Sequence, residues 1–147
     1  MSVEYKESRT VDKSAWPRGV WDQEPDKVQW QDETTGLPCL AVRQTSFGHW
    51  CGYVGVAEGH PAFGRDYNHV AVDCHGGLTY ASPCQGDVCH DALGHDHVWW
   101  LGFDCAHGGD HSPGMKFNLE RGESYKPLAY VTAECAALAA QLQAMHP

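Results

Sequence analysis

The sequence predicts an α+β fold, a single domain in which an antiparallel β-sheet carries a C-terminal helix packed on it. Three observations predict it. Residues 37–43 and 49–56 are mostly apolar runs that read as strands, close enough to pair as a hairpin. Two further apolar runs, 69–75 and 97–107, each end in a His followed by two Gly. The tail from Leu128 to Met145 repeats Val131, Cys135, Leu138 and Leu142 at helical spacing, with Ala between them.

Taken in order, residues 1–15 are polar and mixed in charge, which reads as a flexible arm before a globular domain over 16–147. Residues 28–32 alternate and read as a strand, closed by the Thr-Thr-Gly turn signal ending at Gly36. Pro38 places the next strand's start at residue 37 or 38, or the strand on an edge. Gly52 and Gly55 leave room for a large side chain across the strand at 49–56. In the run at 69–75, Val70, Val72 and Cys74 share one face, and His69, Ala71, Asp73 and His75 the other. In the run that starts at His97, Trp99, Leu101, Phe103 and Cys105 share a face, opposite Val98, Trp100, Gly102 and Asp104. Trp100 is therefore expected beside Asp104, placed to stack on a flat or sugar-like ligand.

Composition narrows the function. The chain has 147 residues and is 42% hydrophobic, enough for one core. Acidic residues outnumber basic ones, 19 to 10, which argues against nucleic acid or an anionic membrane as partner. No apolar run is long enough to span a bilayer, and the first ten residues lack a signal-peptide core, so a cytoplasmic setting is expected. The oligomeric state is not readable.

Nine of the ten His and five of the seven Cys lie between His49 and His111, and that crowding predicts a divalent metal, zinc above all. His60, His75, Asp104 and His107 each fall at or near the end of an expected strand and form the expected ligand set. Asp110 follows as the group that orients or deprotonates metal-bound water. A loop with Cys84, Cys89, His90, His95 and His97 reads as a structural zinc loop, as a Cys84–Cys89 disulfide formed outside the cell, or as a loop with no special role. Cys74 and Cys105 alternate with core positions and read as buried fillers. Together these residues point to a small metal-dependent hydrolase acting on a phosphoester, ester or amide of a small-molecule substrate. The alternative is a small-molecule-binding module whose metal, if any, is structural.

Four stretches also resemble a group of small phage and bacterial proteins without an assigned activity. They are Gly-Leu-Pro-Cys-Leu around Cys39, Cys-Gly-Tyr-Val-Gly-Val at 51–56, His75-Gly-Gly-Leu-Thr-Tyr80, and Trp-Trp-Leu-Gly-Phe-Asp-Cys-Ala-His107. The resemblance covers most of the chain after Trp16. It implies a phage or mobile-element setting and adds an anti-defence role to the binding-module alternative.

Overall fold

Alternation becomes a six-stranded antiparallel sheet in the computed structural model, which describes residues 5–90, 97–115 and 124–145. The strands are β1 (Lys6–Ser8), β2 (Lys27–Gln31), β3 (Pro38–Arg43), β4 (Trp50–Ala57), β5 (Tyr80–Pro83) and β6 (Val98–Asp104). They lie in the order β1-β2-β3-β4-β6-β5. Helix α1 (Leu128–Gln143) packs on β3 and β4.

The two-residue period sorts the sheet's side chains as expected. Cys39, Ala41, Trp50, Val54, Leu101 and Phe103 form the face under α1, where Val131, Cys135, Leu138 and Leu142 are fully buried. Gly52 is required there, because a Cβ would stand 2.5 Å from the Phe103 ring and 2.9 Å from Cys135 Sγ. Leu40, Tyr53, Val98 and Trp100 form a second apolar cluster on the opposite face, closed by Val88.

Three expectations are corrected. Residues 69–75 are not a strand. A 3-10 turn, Tyr67–His69, leads into extended chain with no sheet partner. Its alternation is nonetheless real: Val70 is buried, Val72 and Cys74 pack on the core, and Ala71 and Asp73 are exposed. Both edges of β6 are already taken, by β4 and by β5. Asp73 instead receives and returns hydrogen bonds with the Gln141 amide of α1, each 2.7 Å. Second, part of the expected N-terminal arm is tied down. Lys6–Ser8 pairs with β2, and the backbone N–H groups of Thr10 and Val11 donate to Asp26. Third, Trp100 is only 1% exposed, with its ring 5.2 Å from that of His90, so it is core and cannot stack on a ligand.

Candidate functional site

The C-terminal end of β6 delivers Asp104 and then turns sharply. The turn is closed by Asp110 N–H donating to His107 C=O at 2.9 Å, while His107 N–H donates back to Asp110 Oδ2 at 3.0 Å. This fixes the Asp110 carboxylate beneath the turn, where its side chain is 2% exposed. Ser124 brackets the same segment: His111 N–H donates to Ser124 C=O, and Ser124 N–H donates to Gly109 C=O. That pairing brings Lys126 to Asp110, with Nζ 3.1 Å from Oδ1.

His75 arrives from the extended segment and completes the arrangement. Its Nε2 lies 2.7 Å from Asp110 Oδ2, and its Nδ1 lies 2.7 Å from the hydroxyl of Tyr130 in the first turn of α1. Burial works to raise the Asp110 pKa, but hydrogen bonds from His75, the His107 N–H and Lys126 outweigh it and hold the carboxyl below its ordinary range. An ionised Asp110 accepts from Nε2–H, so in the neutral ring Nδ1 carries the lone pair and accepts from Tyr130. The result is a directed relay from a buried carboxylate through an imidazole to a phenol at the surface.

A second Asp–His pair adjoins it. His107 Nε2 is 3.2 Å from Asp104 Oδ1, while Asp104 Oδ2 accepts from Thr79 Oγ1. His107 Nε2 makes no hydrogen bond among the described residues although solvent does not reach it. The two His rings stand 6.0 Å apart. Gly76 is what permits this: it has a φ of +70°, and a Cβ there would lie 2.2 Å from the His107 ring. The two His-Gly-Gly turns therefore do sit side by side. His49 lies behind them, its Nδ1 3.5 Å from Ser112 Oγ. Burial lowers the His49 pKa, against the raising influence of Asp104 and Asp110.

Of the expected residues, His75, Asp104, His107 and Asp110 come together and His60 does not. His60 Nε2 bonds to Leu142 C=O at 2.8 Å, and its Nδ1 accepts from Ala62 N–H at 2.9 Å. Both ring nitrogens are thus used, Nε2 on a carbonyl at the C-terminal end of α1. His75 is anchored to Tyr130, twelve residues earlier, about 18 Å away along a helix rising ~1.5 Å per residue. A four-ligand site containing both is ruled out by that separation. Among the described residues, no three His, Cys, Asp or Glu side chains are arranged to hold one metal ion.

The loop expectation resolves as the disulfide, Cys84–Cys89. His90 is buried, its Nε2 2.7 Å from Cys39 C=O, and His97 lies at the surface 3.8 Å from Glu58. His95 lies outside the described residues. No thiol is primed as a nucleophile: burial pushes Cys39 and Cys51 up to about 12 and Cys74 up to about 11, and raises Cys105 and Cys135 as well. Sequence reasoning missed Tyr130, Lys126 and His49. Tyr130 and Lys126 lie beyond the His-rich stretch and are joined to it only by the fold, and His49 reads as the start of a strand.

The fold and site thus define a small α+β protein with a carboxylate–imidazole–phenol relay at one end of an antiparallel sheet. No protein-family model, curated protein or solved structure matches the chain.

Proposed function

We propose that this chain is a small hydrolase with His75 as its general base. The relay carries the reading: His75 has an ionised carboxylate on one nitrogen and a reachable hydroxyl on the other. A general base needs its proton donor within ~2.6–3.2 Å, and a third group to orient the ring. Asp110 supplies the orientation and stabilises the imidazolium that forms when Nδ1 takes a proton. Lys126 keeps Asp110 charged. His75 is 15% exposed, so a substrate can reach its edge while its anchor stays dry. On a panel of esters, amides and phosphoesters, His75→Gln should lower the rate by about 10²–10⁴-fold, the usual worth of a positioned base, with a native circular-dichroism spectrum. A variant as active as the parent sinks the proposal.

A metal-dependent form of the same reaction has one observation in its favour. His107 Nε2, which makes no hydrogen bond among the described residues, lies 3.2 Å from Asp104 Oδ1, which accepts only from Ala106 N–H among them, so the pair offers two donors to one cation. In this form zinc, or another divalent ion, supplies activated water beside His75. Equilibrium dialysis should then find about one zinc per chain, lost in His107→Ala; no stoichiometric zinc in the parent protein removes this form. Zinc retained without any hydrolysis would instead indicate a binding module.

The cytoplasm remains part of the proposal, and Cys84 and Cys89 make it checkable. Reducing compartments disfavour disulfides. The Cys84–Cys89 bridge of the structure runs against that setting, so the proposal requires that alkylation in intact cells trap both residues as thiols; recovery of the bridge alone contradicts it.

A further inference from the structure

We infer that Tyr130 is the nucleophile of this site and carries the acyl group of an activated, uncharged acyl substrate as a covalent tyrosyl ester. The inference rests on the hydrolase reading above, and extends it from a base to a two-step reaction.

The geometry is that of a nucleophile, a base and an orienter in line. Tyr130 Oη lies 2.7 Å from His75 Nδ1, and His75 Nε2 lies 2.7 Å from Asp110 Oδ2. Hydroxyl–imidazole–carboxylate contacts of this length recur wherever a weak oxygen nucleophile is activated by a neighbouring base. Tyr130 is partly exposed, as attack on an external substrate demands. It sits in the first turn of α1. Desolvation, then Glu134, Cys105 and Asp110, raise the phenol's pKa, so the hydroxyl stays protonated until His75 takes the proton during attack.

The surroundings select the substrate. Glu134 and Asp110 both act on Tyr130, and Asp104 lies beyond His107. The nearby cation, Lys126, is already paired with Asp110, its Nζ 5.9 Å from the Tyr130 ring centroid. A phosphodiester would bring a negative charge into this acidic rim, whereas a neutral carbonyl meets no such repulsion. A phenolate displaces aryl oxides and thiolates readily and alkoxides, which are far more basic, poorly. The substrate class is therefore aryl esters or thioesters.

In the first step Tyr130 Oη bonds to the acyl carbon as the bond to the leaving group breaks. The phenol proton passes to His75 Nδ1 and then to the leaving group. In the second step water attacks the acyl carbon and gives its proton to His75. The Tyr130 Oη–acyl bond breaks, and that proton returns to Oη. No redox partner is needed.

The test uses the full-length chain and p-nitrophenyl acetate. Rapid acid quench followed by peptide mapping should place one acetyl group on Tyr130, with a nitrophenolate burst of about one per chain. Tyr130→Phe, which keeps the ring's packing, should lose both the burst and the adduct, and at least about 10²-fold in steady-state rate. An adduct on Lys126 or His75, or full activity in Tyr130→Phe, overturns the inference. If Tyr130→Phe is fully active but His75→Gln is not, Tyr130 fails as nucleophile while His75 survives as base. If His75→Gln matches the parent, or the parent hydrolyses nothing, both fail.

Discussion

Glu24 and Asp110 both reach the start of α1 from outside the helix, and both are gripped by residues 125–130, yet the networks behind them differ in kind. Glu24 accepts from the Tyr125 hydroxyl and from Leu128 N–H, and pairs with Arg43. The Arg43 side chain is fully buried, and its five donors are all used, on Asp26, Glu24, Gly48 C=O, Pro25 C=O and the Tyr125 hydroxyl. Lys13 adds a second cation on Asp26, so two positive charges meet two negative ones. A guanidinium does not lose its proton in proteins, so this network has one state and acts as a clamp. The Asp110 network substitutes an imidazole for the guanidinium. Its ring offers a second nitrogen to the Tyr130 hydroxyl, and it is partly exposed where Arg43 is fully buried. The same design, a buried carboxylate tied to the start of a helix, forms a fixed clamp where the partner is Arg and, in the proposed function, a proton relay where the partner is His.

The largest effect should come from breaking the clamp. Arg43→Ala leaves Glu24 and Asp26 buried without their main cation and should cost about 3–5 kcal/mol, the usual penalty for stripping one partner from a buried pair. Denaturant melts check this, and a loss below about 1 kcal/mol would mean that water reaches the network. His75→Gln, by contrast, should cost little stability and most of the activity.

Acidification separates the two next. The His49 pKa is depressed in the folded protein, so its contribution is complete above the unfolded value of about 6.5 and is lost as pH falls from there through the folded value. Asp26 and Asp110 are also depressed: burial pushes Asp26 up, but hydrogen bonds from Lys13, Val11 and Thr10 outweigh it. Their contribution is complete above about 3.9 and is lost as pH falls through the folded values. Melting temperature should therefore decline gently below about pH 6.5 and steeply below about pH 4. A flat profile down to pH 3 contradicts the depressed carboxyls.

The smallest effect sharpens the boundary of the site. His60→Ala removes two hydrogen bonds, the one to Leu142 C=O and the one from Ala62 N–H, and should cost about 1–3 kcal/mol, with activity and any zinc binding unchanged. Loss of either would return His60 to the site.

The sequence made the frame legible because its signals were local. The near-continuous apolar runs around Leu40 and Val54 report strands buried on both faces, and the spacing of Val131, Cys135, Leu138 and Leu142 reports which side of the helix is buried. The run at 69–75 gave the right faces and the wrong element, because alternation reports burial and not a hydrogen-bonded neighbour. His75, Asp104, His107 and Asp110 were picked out by side-chain chemistry at the ends of apolar runs. Their partners were not, since Tyr130 is 55 residues from His75, and His75 is 35 from Asp110. His60 looked equivalent to the others, but it lies at the opposite end of a helix that the sequence placed without orienting.

The central claim is that Asp110 fixes the His75 ring so that its basic nitrogen faces Tyr130. Nitrogen-15 NMR of the imidazole tests it, recorded where the ring is neutral and assigned by comparison with His75→Gln. The relay predicts a protonated Nε2 and an unprotonated Nδ1, with the Nδ1 shift moving when Tyr130 is replaced by Phe. A proton on Nδ1 in the neutral ring, or a shift indifferent to Tyr130→Phe, would contradict it.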